Sequence, residues 1–356
     1  MFFRLAHIEY DFDAEKLVPR SRVFAEAVRR AGMRIYVLKG PIGYTNQFGL
    51  RVGNNPKAPR VHVAGIFRFE GLPSSQECAT GKVRNLDDKM AVKKTLAKKK
   101  WPYAEGKTFW FWQSRSAKKY AQKIGYSLVV KPENGSVARH VTTHITNEKE
   151  LQNALALAWQ LSPVAIVERY VEGFVHRVTV IAGKHVFCVK QLPAHVVGDG
   201  AHTVQELIDK KNKEPMRGSV GDSTFLMHPI VLGPETALLL NKSGQSLAGV
   251  PASGKRVYLR REPFMRYGGD LEECTDLLHP DNKKLALDLA REFSAFLVGI
   301  DLLIPDITCS WKEQTCAVLE LNSLPSIDMH HFPYYGTSRD VAGILLSETL
   351  QKIAAK

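Results

Sequence analysis

The stretch Val318-Leu319-Glu320-Leu321-Asn322 sets a carboxylate and an amide two residues apart in an apolar run. Such a run is typical of a β-strand, in which side chains two apart point to the same face. A second apolar run, residues 296–301, ends in Asp301 and can pair beside the first. Magnesium prefers one or two carboxylates together with substrate phosphates, so these three oxygen donors predict a nucleotide site. The alternative is that turn amides or surface lysines satisfy both carboxylates.

Two further apolar runs carry charged residues suited to a nucleotide. The run at residues 128–132 contains Lys131, and the run at residues 165–171 contains Glu168. Upstream, Asp88 opens a helical segment that contains Lys89. A lysine can act as a point charge on phosphates, and a buried glutamate can accept a hydrogen bond from an adenine amino group. Each of these signals is weak when taken alone.

In this order and spacing, the motifs resemble the ATP-grasp ligases, in particular the ATP-grasp module of cyanophycin synthetase and its glutathione-synthetase-like relatives. The most specific match is residues 193–208, PAHVVGDGAHTVQELI. The resemblance covers residues 82–332. Further matches are Val257–Arg260, Gly268-Gly269, His279–Asn282, Gly299–Asp301, Pro305–Ile307, Asn322 and Met329-His330.

The resemblance implies an α+β fold, the ATP-grasp fold, with a small N-terminal α/β lobe, a lid lobe and a larger C-terminal lobe. We predict these divisions at residues 1–84 (N-terminal α/β lobe), 85–172 (linker helix and lid lobe) and 173–356 (C-terminal catalytic lobe). The expected helices are residues 23–31, 116–124, 148–159 and 338–353. The expected strands include residues 34–38, 127–131 and 165–168.

The resemblance also implies roles for individual residues. The cofactor-binding residues would be Lys89, Lys131, Gly135, Ser136, Glu168 and Val171, with Glu168 and the backbone of Val171 as the adenine-binding hinge. The metal ligands would be Asp301, Glu320 and Asn322. The catalytic residues would be Arg177, Arg260 and Asn322, the arginines steadying an acyl-phosphate or a substrate carboxylate. For either arginine, the alternative is a surface ion pair of little energetic value.

The reaction implied by the resemblance is ADP-forming ligation of a carboxylate to an amine, with ATP and Mg²⁺ as cofactors. The expected partners are an amino acid or peptide carboxylate and an amine substrate, and a homo-oligomer is left open. An ATP-binding protein that has lost ligation is the second hypothesis.

This second hypothesis follows from departures from the family pattern. Residues 134–140 replace two glycines of a phosphate-binding loop, and Val175 stands where the family has an acidic ribose ligand. Asp328 replaces an arginine, which suggests a substrate with a cationic group there. We also find no counterpart of the Mur-ligase-like half of cyanophycin synthetase, so cyanophycin synthesis itself is not expected.

Composition agrees with a folded enzyme. The chain has 356 residues, 44% of them hydrophobic, which is enough for a substantial core in two or three lobes. We find no signal peptide and no run long enough for a membrane span, so the predicted location is cytoplasmic. The five cysteines form no C-x-x-C pair and are predicted to be free thiols.

The net charge of +13 is concentrated in residues 82–131, which contain fourteen Lys or Arg against three acidic residues. Aromatic residues are interleaved with this charge at positions 101, 103 and 109–112. Such a segment can bind nucleic acid through phosphate contacts and stacking, which is the third hypothesis. We favour a solvated helix face that carries Lys93, Lys94 and the lysines at positions 98–100, together with aromatics in a lid strand. This interpretation argues against nucleic acid and leaves an acidic substrate or protein partner open.

Overall fold

The computed structural model describes residues 7–9, 11–40, 43–51, 66–70, 72–73, 86, 88–133 and 140–355. Its strands are β1 (His7–Glu9), β2 (Arg34–Gly40), β3 (Gly43–Arg51), β4 (Ile66–Glu70), β5 (Gly106–Trp110), β6 (Leu128–Pro132), β7 (Thr142–Ile145), β8 (Val164–Arg169), β9 (Phe174–Ile181), β10 (His185–Leu192), β11 (His195–Val197), β12 (Arg256–Tyr258), β13 (Asp270–Glu273), β14 (Leu297–Ile304) and β15 (Ala317–Asn322). Its α-helices are α1 (Pro19–Arg30), α2 (Lys89–Lys99), α3 (Ser114–Ile124), α4 (Glu148–Trp159), α5 (Val204–Asn212), α6 (Thr236–Lys242), α7 (Pro280–Glu292), α8 (Asp328–His331) and α9 (Val341–Ala354).

The chain divides into two structural units, each built from separate segments. Unit 1 comprises Met1–Asn85, Phe174–Ile300 and Asn322–Lys356, and unit 2 comprises Leu86–Gly173 and Asp301–Leu321. The unit boundaries in the last part of the chain therefore fall inside β14 and β15. The three-lobe division at residues 84/85 and 172/173 stays a prediction.

The N-terminal part of unit 1 contains the predicted helix and strand. Helix α1 carries apolar residues at helical spacing, so Val23, Phe24, Ala27 and Val28 are buried on one face. Gly32, with a φ of +69°, follows the end of the helix in a conformation that favours glycine. The sheet that follows has the order β1-β2-β3-β4 and is antiparallel throughout.

The rest of unit 1 is organised around β13, β10, β9 and the first half of β14, which belong to a sheet of order β13-β10-β9-β14-β15. Helix α1 and the C-terminal helix α9 pack together over one core that also includes Ile181, Phe187 and Leu297. Strands β11 and β12 form a separate antiparallel pair, and α5 packs beside β11. The capping box formed by Thr203 and Glu206 fixes the start of α5.

Unit 2 contains an antiparallel sheet of order β5-β8-β6-β7 covered by α3 and α4. Strand β8 is central and buried along Val164–Glu168, as expected of a strand covered on both faces. The core of the unit includes Phe109, Leu128, Leu151 and Leu155. The predicted helix at residues 148–159 matches α4, whose N-cap Asn147 accepts a hydrogen bond from the backbone N–H of Glu150.

The aromatic residues at positions 109–112 do not all fit the predicted lid strand. Phe109 lies in β5 and is buried, whereas Trp110, Phe111 and Trp112 are exposed at the end of the strand and in the following turn. Alternation explains the difference for Trp110, because its side chain points away from the face that buries Phe109.

The cysteines and the membrane prediction can be compared with the described residues. Cys188, Cys274, Cys309 and Cys316 are free, as predicted, and Cys188 is buried in β10. Cys78 lies outside the described residues. Within the described part of the chain, no helix is both long and apolar enough to cross a bilayer.

Candidate active site

A buried cluster of two lysines and one glutamate lies in unit 2. Glu168 Oε1 is 2.5 Å from Lys93 Nζ and 3.0 Å from Lys131 Nζ, and the three side chains are only 3%, 6% and 13% exposed. Lys93 Nζ also donates to the carbonyl oxygen of Ala104 at 2.8 Å. This arrangement holds two ammonium groups at fixed positions on one carboxylate oxygen.

The local sequence explains how these side chains meet. Strands β6 and β8 are antiparallel, with Lys131 opposite Ile166, so Glu168 is the diagonal neighbour of Lys131 on the same face. Helix α2 starts at the N-cap Asp88, whose side chain accepts hydrogen bonds from the backbone N–H groups of Met90 and Ala91. Lys89 and Lys93 are four residues apart on α2, so they share one face of the helix.

Close approach of β5 to β8 depends on a glycine. A Cβ at Gly106 would lie 2.7 Å from Glu168 Cγ and 2.8 Å from the carbonyl oxygen of Val167. Any other residue would therefore push the strands apart or displace the Glu168 side chain.

The electrostatics of the cluster favour an added anion. Burial raises the pKa of Glu168, but Lys131 and Lys93 outweigh this effect and hold the pKa below its ordinary value. Burial, reinforced by Lys131, lowers the pKa of Lys89, while Glu320 and Glu168 oppose that shift. Burial likewise lowers the pKa of Lys93 despite the neighbouring Glu168. Three partly desolvated lysines against Glu168 and Glu320 make a site that gains from binding phosphate oxygens.

The predicted metal ligands lie on adjacent strands. Asp301 is in β14, and Glu320 and Asn322 are in β15, its neighbour in the sheet, as the sequence predicted. Asp301 and Glu320 belong to unit 2, and Asn322 begins the next segment of unit 1. The Nδ2 atom of Asn322 is buried without a hydrogen-bond partner in the described structure.

The chemistry of these donors fits a hard divalent cation. Two carboxylates and an amide oxygen are ligands that Mg²⁺ accepts, and Mg²⁺ normally keeps other positions for water or phosphate. Among the described residues, no group of three His, Cys, Asp or Glu side chains is arranged to hold a metal by itself. A magnesium site at Asp301 and Glu320 would therefore need further oxygens, for example those of a bound phosphate or of water, and the part of Asn322 in it stays a prediction.

Comparison with known proteins identifies the relatives of the chain. It is 35% identical over 260 residues to the cyanophycin synthetase of Nostoc sp., covering 73% of this chain and 28% of the relative. It is 37% identical over 223 residues to the Crocosphaera subtropica cyanophycin synthetase, covering 61% of this chain and 25% of that protein. It is 30% identical over 273 residues to the glutathione biosynthesis bifunctional protein of Streptococcus mutans, covering 76% and 36%.

The structure has a matching neighbour among solved proteins. The bifunctional glutathione synthetase from Pasteurella multocida superposes with a TM-score of 0.67 at 24% identity, over 95% of this chain and 44% of that one. The chain is a homologue of the ATP-grasp ligases. The predicted α+β ATP-grasp fold is confirmed. No protein-family model matches the chain. The chain spans about a quarter to about a third of the length of these curated relatives.

Other predicted site residues of this ATP-grasp homologue lie outside the lysine cluster. Val171 is buried beside Ala104 and Ala317, and the contact of its backbone with adenine stays a prediction. Gly135 and Ser136 lie outside the described residues. Glu168 contacts two lysines through Oε1, so its predicted contact with adenine stays a prediction beside this observed role.

The two predicted catalytic arginines have different surroundings. Arg177 in β9 lies against Gly299, where an added Cβ would be 3.2 Å from Arg177 Cδ and 3.3 Å from its Nη1. Arg260 Nε lies 2.8 Å from Glu235 Oε1, and its Nη1 donates to the carbonyl oxygen of Val231 at 3.2 Å. Arg260 therefore forms a local ion pair, which was the alternative interpretation of this residue. A substrate role for either arginine stays a prediction.

Asp328, where the family has an arginine, is buried in unit 1 at the start of α8. Burial raises its pKa to about 6, although Arg20, Arg177 and Arg22 oppose the shift. Its Oδ1 and the Nε of Arg20 are both buried without a hydrogen-bond partner in the described structure. Arg20 Nη1 donates to the carbonyl oxygen of Leu324 at 3.1 Å, which ties helix α1 to the segment that precedes α8.

The expectation that Lys93 lies on a solvated helix face is wrong, because its side chain is buried against Glu168. Arg20 was not predicted as a site residue. Lys93 had a usable signal, since it follows Lys89 by one helical turn in a segment already identified as a helix. Arg20 had none, because its approach to Asp328 joins residues more than 300 positions apart in the chain.

Proposed function

We propose that the chain is an ADP-forming carboxylate–amine ligase that makes an amide or peptide bond through an acyl-phosphate. The observation that carries the proposal is the buried Lys93–Glu168–Lys131 cluster, which lies in the same unit as Glu320 and Asp301. The homologous synthetases support it. The substrates proposed are an amino acid or peptide carboxylate and an amine, with ATP and Mg²⁺ as cofactors, and the location proposed is cytoplasmic.

The chemistry needs positioned cations rather than a protein nucleophile. A substrate carboxylate oxygen attacks the γ-phosphorus and ADP leaves, then the amine attacks the acyl carbon and phosphate leaves. Negative charge develops on the transferring phosphoryl oxygens, so fixed positive groups lower the barrier. A bound Mg²⁺, held by Asp301, Glu320 and Asn322, would supply further charge neutralisation.

Each of the chain's own residues has a proposed task. Lys131 and Lys89 bind phosphate oxygens, and Glu168 keeps Lys131 and Lys93 oriented and charged through its shared oxygen. The replacement of an arginine by Asp328 changes the charge at α8 and supports a substrate different from that of cyanophycin synthetase, although Arg20, Arg22 and Arg177 around this buried carboxyl disfavour the expected cationic group there. Arg177, on the strand beside Gly299, is proposed to hold a carboxylate or the acyl-phosphate.

The test is ADP release measured over pairs of amino acids and dipeptides, with the product mass determined. We expect ADP release that requires both substrates and falls a hundredfold or more in Glu320→Ala, which corresponds to roughly 3 kcal/mol of barrier. The matched control is Glu313→Ala, an exposed glutamate of the same unit, which should keep full activity.

Two outcomes would contradict ligation. If Glu320→Ala releases ADP at the wild-type rate, Glu320 is not a ligand of a catalytic metal. Tight ATP binding without turnover across the whole screen would instead support the second hypothesis, an ATP-binding protein that has lost ligation, which the altered residues 134–140 and Val175 favour.

A further inference from the structure

An exposed cluster of three consecutive aromatic residues ends β5. We call Trp110, Phe111 and Trp112 the aromatic turn; their side chains are 44%, 57% and 63% exposed. The rings pack on one another, with Trp110 and Trp112 stacked at 4.9 Å and Phe111 edge-on to Trp112 at 4.7 Å. Single exposed apolar residues are ordinary, whereas a contiguous group marks an interaction site.

The backbone of the aromatic turn is held in place. Phe111 N–H donates to the carbonyl oxygen of Pro163 at 3.1 Å, and Trp110 N–H donates to Gln113 Oε1 at 2.9 Å. The neighbouring Trp159 donates from Nε1 to the carbonyl oxygen of Phe109 at 3.2 Å. The turn is thus a preformed feature, and its rings are exposed because the core beneath is already filled by Phe109.

The aromatic turn is separate from the lysine cluster. In β5, Gly106 pairs with Glu168, whereas Trp110 pairs with Val164 at the other end of the strand. Four residues of strand separate the two ends, which is roughly 13 Å. The proposed nucleotide site therefore does not account for the exposure of the aromatic turn.

Basic residues continue from the aromatic turn along α3. Arg115, Lys119 and Lys123 follow each other at four-residue spacing and are all exposed, so they form one basic stripe on the solvent face of this helix. No acidic residue occurs between positions 106 and 132. Lys118, on the adjacent side of the helix, is compensated by Glu148 at 2.9 Å.

We propose that the aromatic turn and the basic stripe form a docking surface for an anionic phospholipid bilayer. Tryptophan rings favour the headgroup region of a bilayer, because one part of the ring is apolar and the indole N–H remains wet. The basic stripe attracts anionic headgroups, an attraction that decreases with salt. Binding of this kind is peripheral and needs no spanning helix.

The geometry favours a bilayer over a strand of nucleic acid. The three rings are all at least 44% exposed, which leaves them open to a broad surface. The two tryptophan rings are stacked on each other, so the faces turned toward one another cannot stack on bases. Both sets of residues belong to one continuous segment, residues 110–123.

The test is co-sedimentation of the full chain with phosphatidylcholine vesicles, with and without phosphatidylglycerol, at low and high salt. We expect binding only to the anionic vesicles, weaker at high salt, with a blue shift of tryptophan fluorescence. The variant Trp110→Ser/Phe111→Ser/Trp112→Ser should lose at least tenfold in partitioning. Arg115→Gln, Lys119→Gln and Lys123→Gln should each lose roughly fivefold, and the triple variant of the basic stripe, Arg115→Gln/Lys119→Gln/Lys123→Gln, should lose more than any of them.

Matched controls test whether vesicle binding depends on this particular surface or only on the overall charge and apolar exposure of the chain. Lys94→Gln/Lys98→Gln/Lys99→Gln removes the same charge from α2 and should lose much less than the triple variant of the basic stripe. Leu277→Ser replaces a residue that is 58% exposed in unit 1 and should have no effect. Circular dichroism and ATP binding check that each variant is folded; if the triple serine variant unfolds, Trp112→Ser alone gives the same comparison.

Several results would overturn the proposal. The proposal fails if the chain does not bind anionic vesicles, or if it binds both kinds of vesicle equally well. It also fails if the α2 variant loses as much vesicle binding as the basic-stripe variant does. Tighter binding to a single-stranded oligonucleotide than to the vesicles, lost in the serine variant, would replace the bilayer by nucleic acid. Self-association lost in the serine variant, without vesicle binding, would make a second copy of the chain the partner.

Discussion

Glu168 is the residue on which the candidate nucleotide site depends, because two buried ammonium groups share its Oε1. Removing the charge leaves Lys93 and Lys131 desolvated without a counter-ion. We expect Glu168→Gln to lower the free energy of unfolding by about 3 kcal/mol at pH 7, as measured by urea denaturation. The exposed Glu172→Gln should change it by less than about 0.5 kcal/mol.

The pH dependence of this effect has a definite sign. The pKa of Glu168 is lower in the folded protein than its ordinary value, so its contribution is complete above the ordinary glutamate pKa. That contribution is lost as the pH falls through the lower, folded-state pKa. The difference between the wild type and Glu168→Gln should therefore shrink at acidic pH, and a difference that stays constant would contradict the ion-pair interpretation.

Asp328 should behave in the opposite way. Its pKa is raised to about 6 from 3.8, so the folded protein holds this proton more tightly than the unfolded chain does. The resulting stabilisation is complete below the ordinary pKa and is lost as the pH rises through 6. We expect Asp328→Asn to be more stable than the wild type at pH 8, by up to about 3 kcal/mol, and equal to it near pH 4.

Thermal or urea unfolding at several pH values measures this difference. The exposed Asp209→Asn serves as the control and should follow the wild-type curve. If Asp328→Asn loses stability at pH 8, then Asp328 holds the guanidinium groups of the arginines around it in place, and burial is not the dominant influence on its stability.

Among the elements, α2 carries two of the lysines that surround the candidate nucleotide site. Its first turn depends on Asp88, whose side chain accepts hydrogen bonds from two backbone N–H groups. We expect Asp88→Ala to cost about 1 kcal/mol of stability and to weaken ATP binding, whereas Asp88→Asn, which keeps the cap, should lose only a few tenths. Equal losses in both variants would show that charge, rather than capping, matters at this position.

The helices and strands also differ in how well the sequence alone predicted them. Apolar residues at helical spacing, with Gly32 as a stop, predicted the helix that the structure has as α1, and the helix predicted at residues 148–159 has the bounds of α4. The pairing of β14 and β15 followed from two apolar runs with polar ends. Residues 109–112 were assigned to a strand because aromatic residues favour strands, but only Phe109 finds a core position.

Site residues could be predicted only where the chemistry is local or the family pattern is retained. The shared oxygen of Glu168 could not be predicted, because it depends on the register of β6 against β8 and on the docking of α2. The ion pair of Arg260 with Glu235 is similarly a tertiary contact between residues 25 positions apart. Such contacts are set by packing rather than by any pattern visible along the chain.

For the molecule as a whole, nucleotide binding should increase the free energy of unfolding. A ligand that binds only the folded state stabilises it by about 2.7 kcal/mol at a hundred times its Kd. We expect MgATP to raise the melting temperature, and ATP with a chelator to raise it less. Asp301→Asn should abolish the difference between these two conditions while leaving the metal-free shift, and an unchanged difference would exclude Asp301 as a metal ligand.

The division of unit 2 into Leu86–Gly173 and Asp301–Leu321 affects how the protein emerges from the ribosome. The first segment has its own sheet, but Ala104 and Val171 pack on Ala317, which is translated much later. At 5–20 residues per second, synthesis of residues 174–300 takes roughly 6–25 s. During that interval the nascent unit lacks part of its interior, so a chaperone or a translational pause has its greatest influence there.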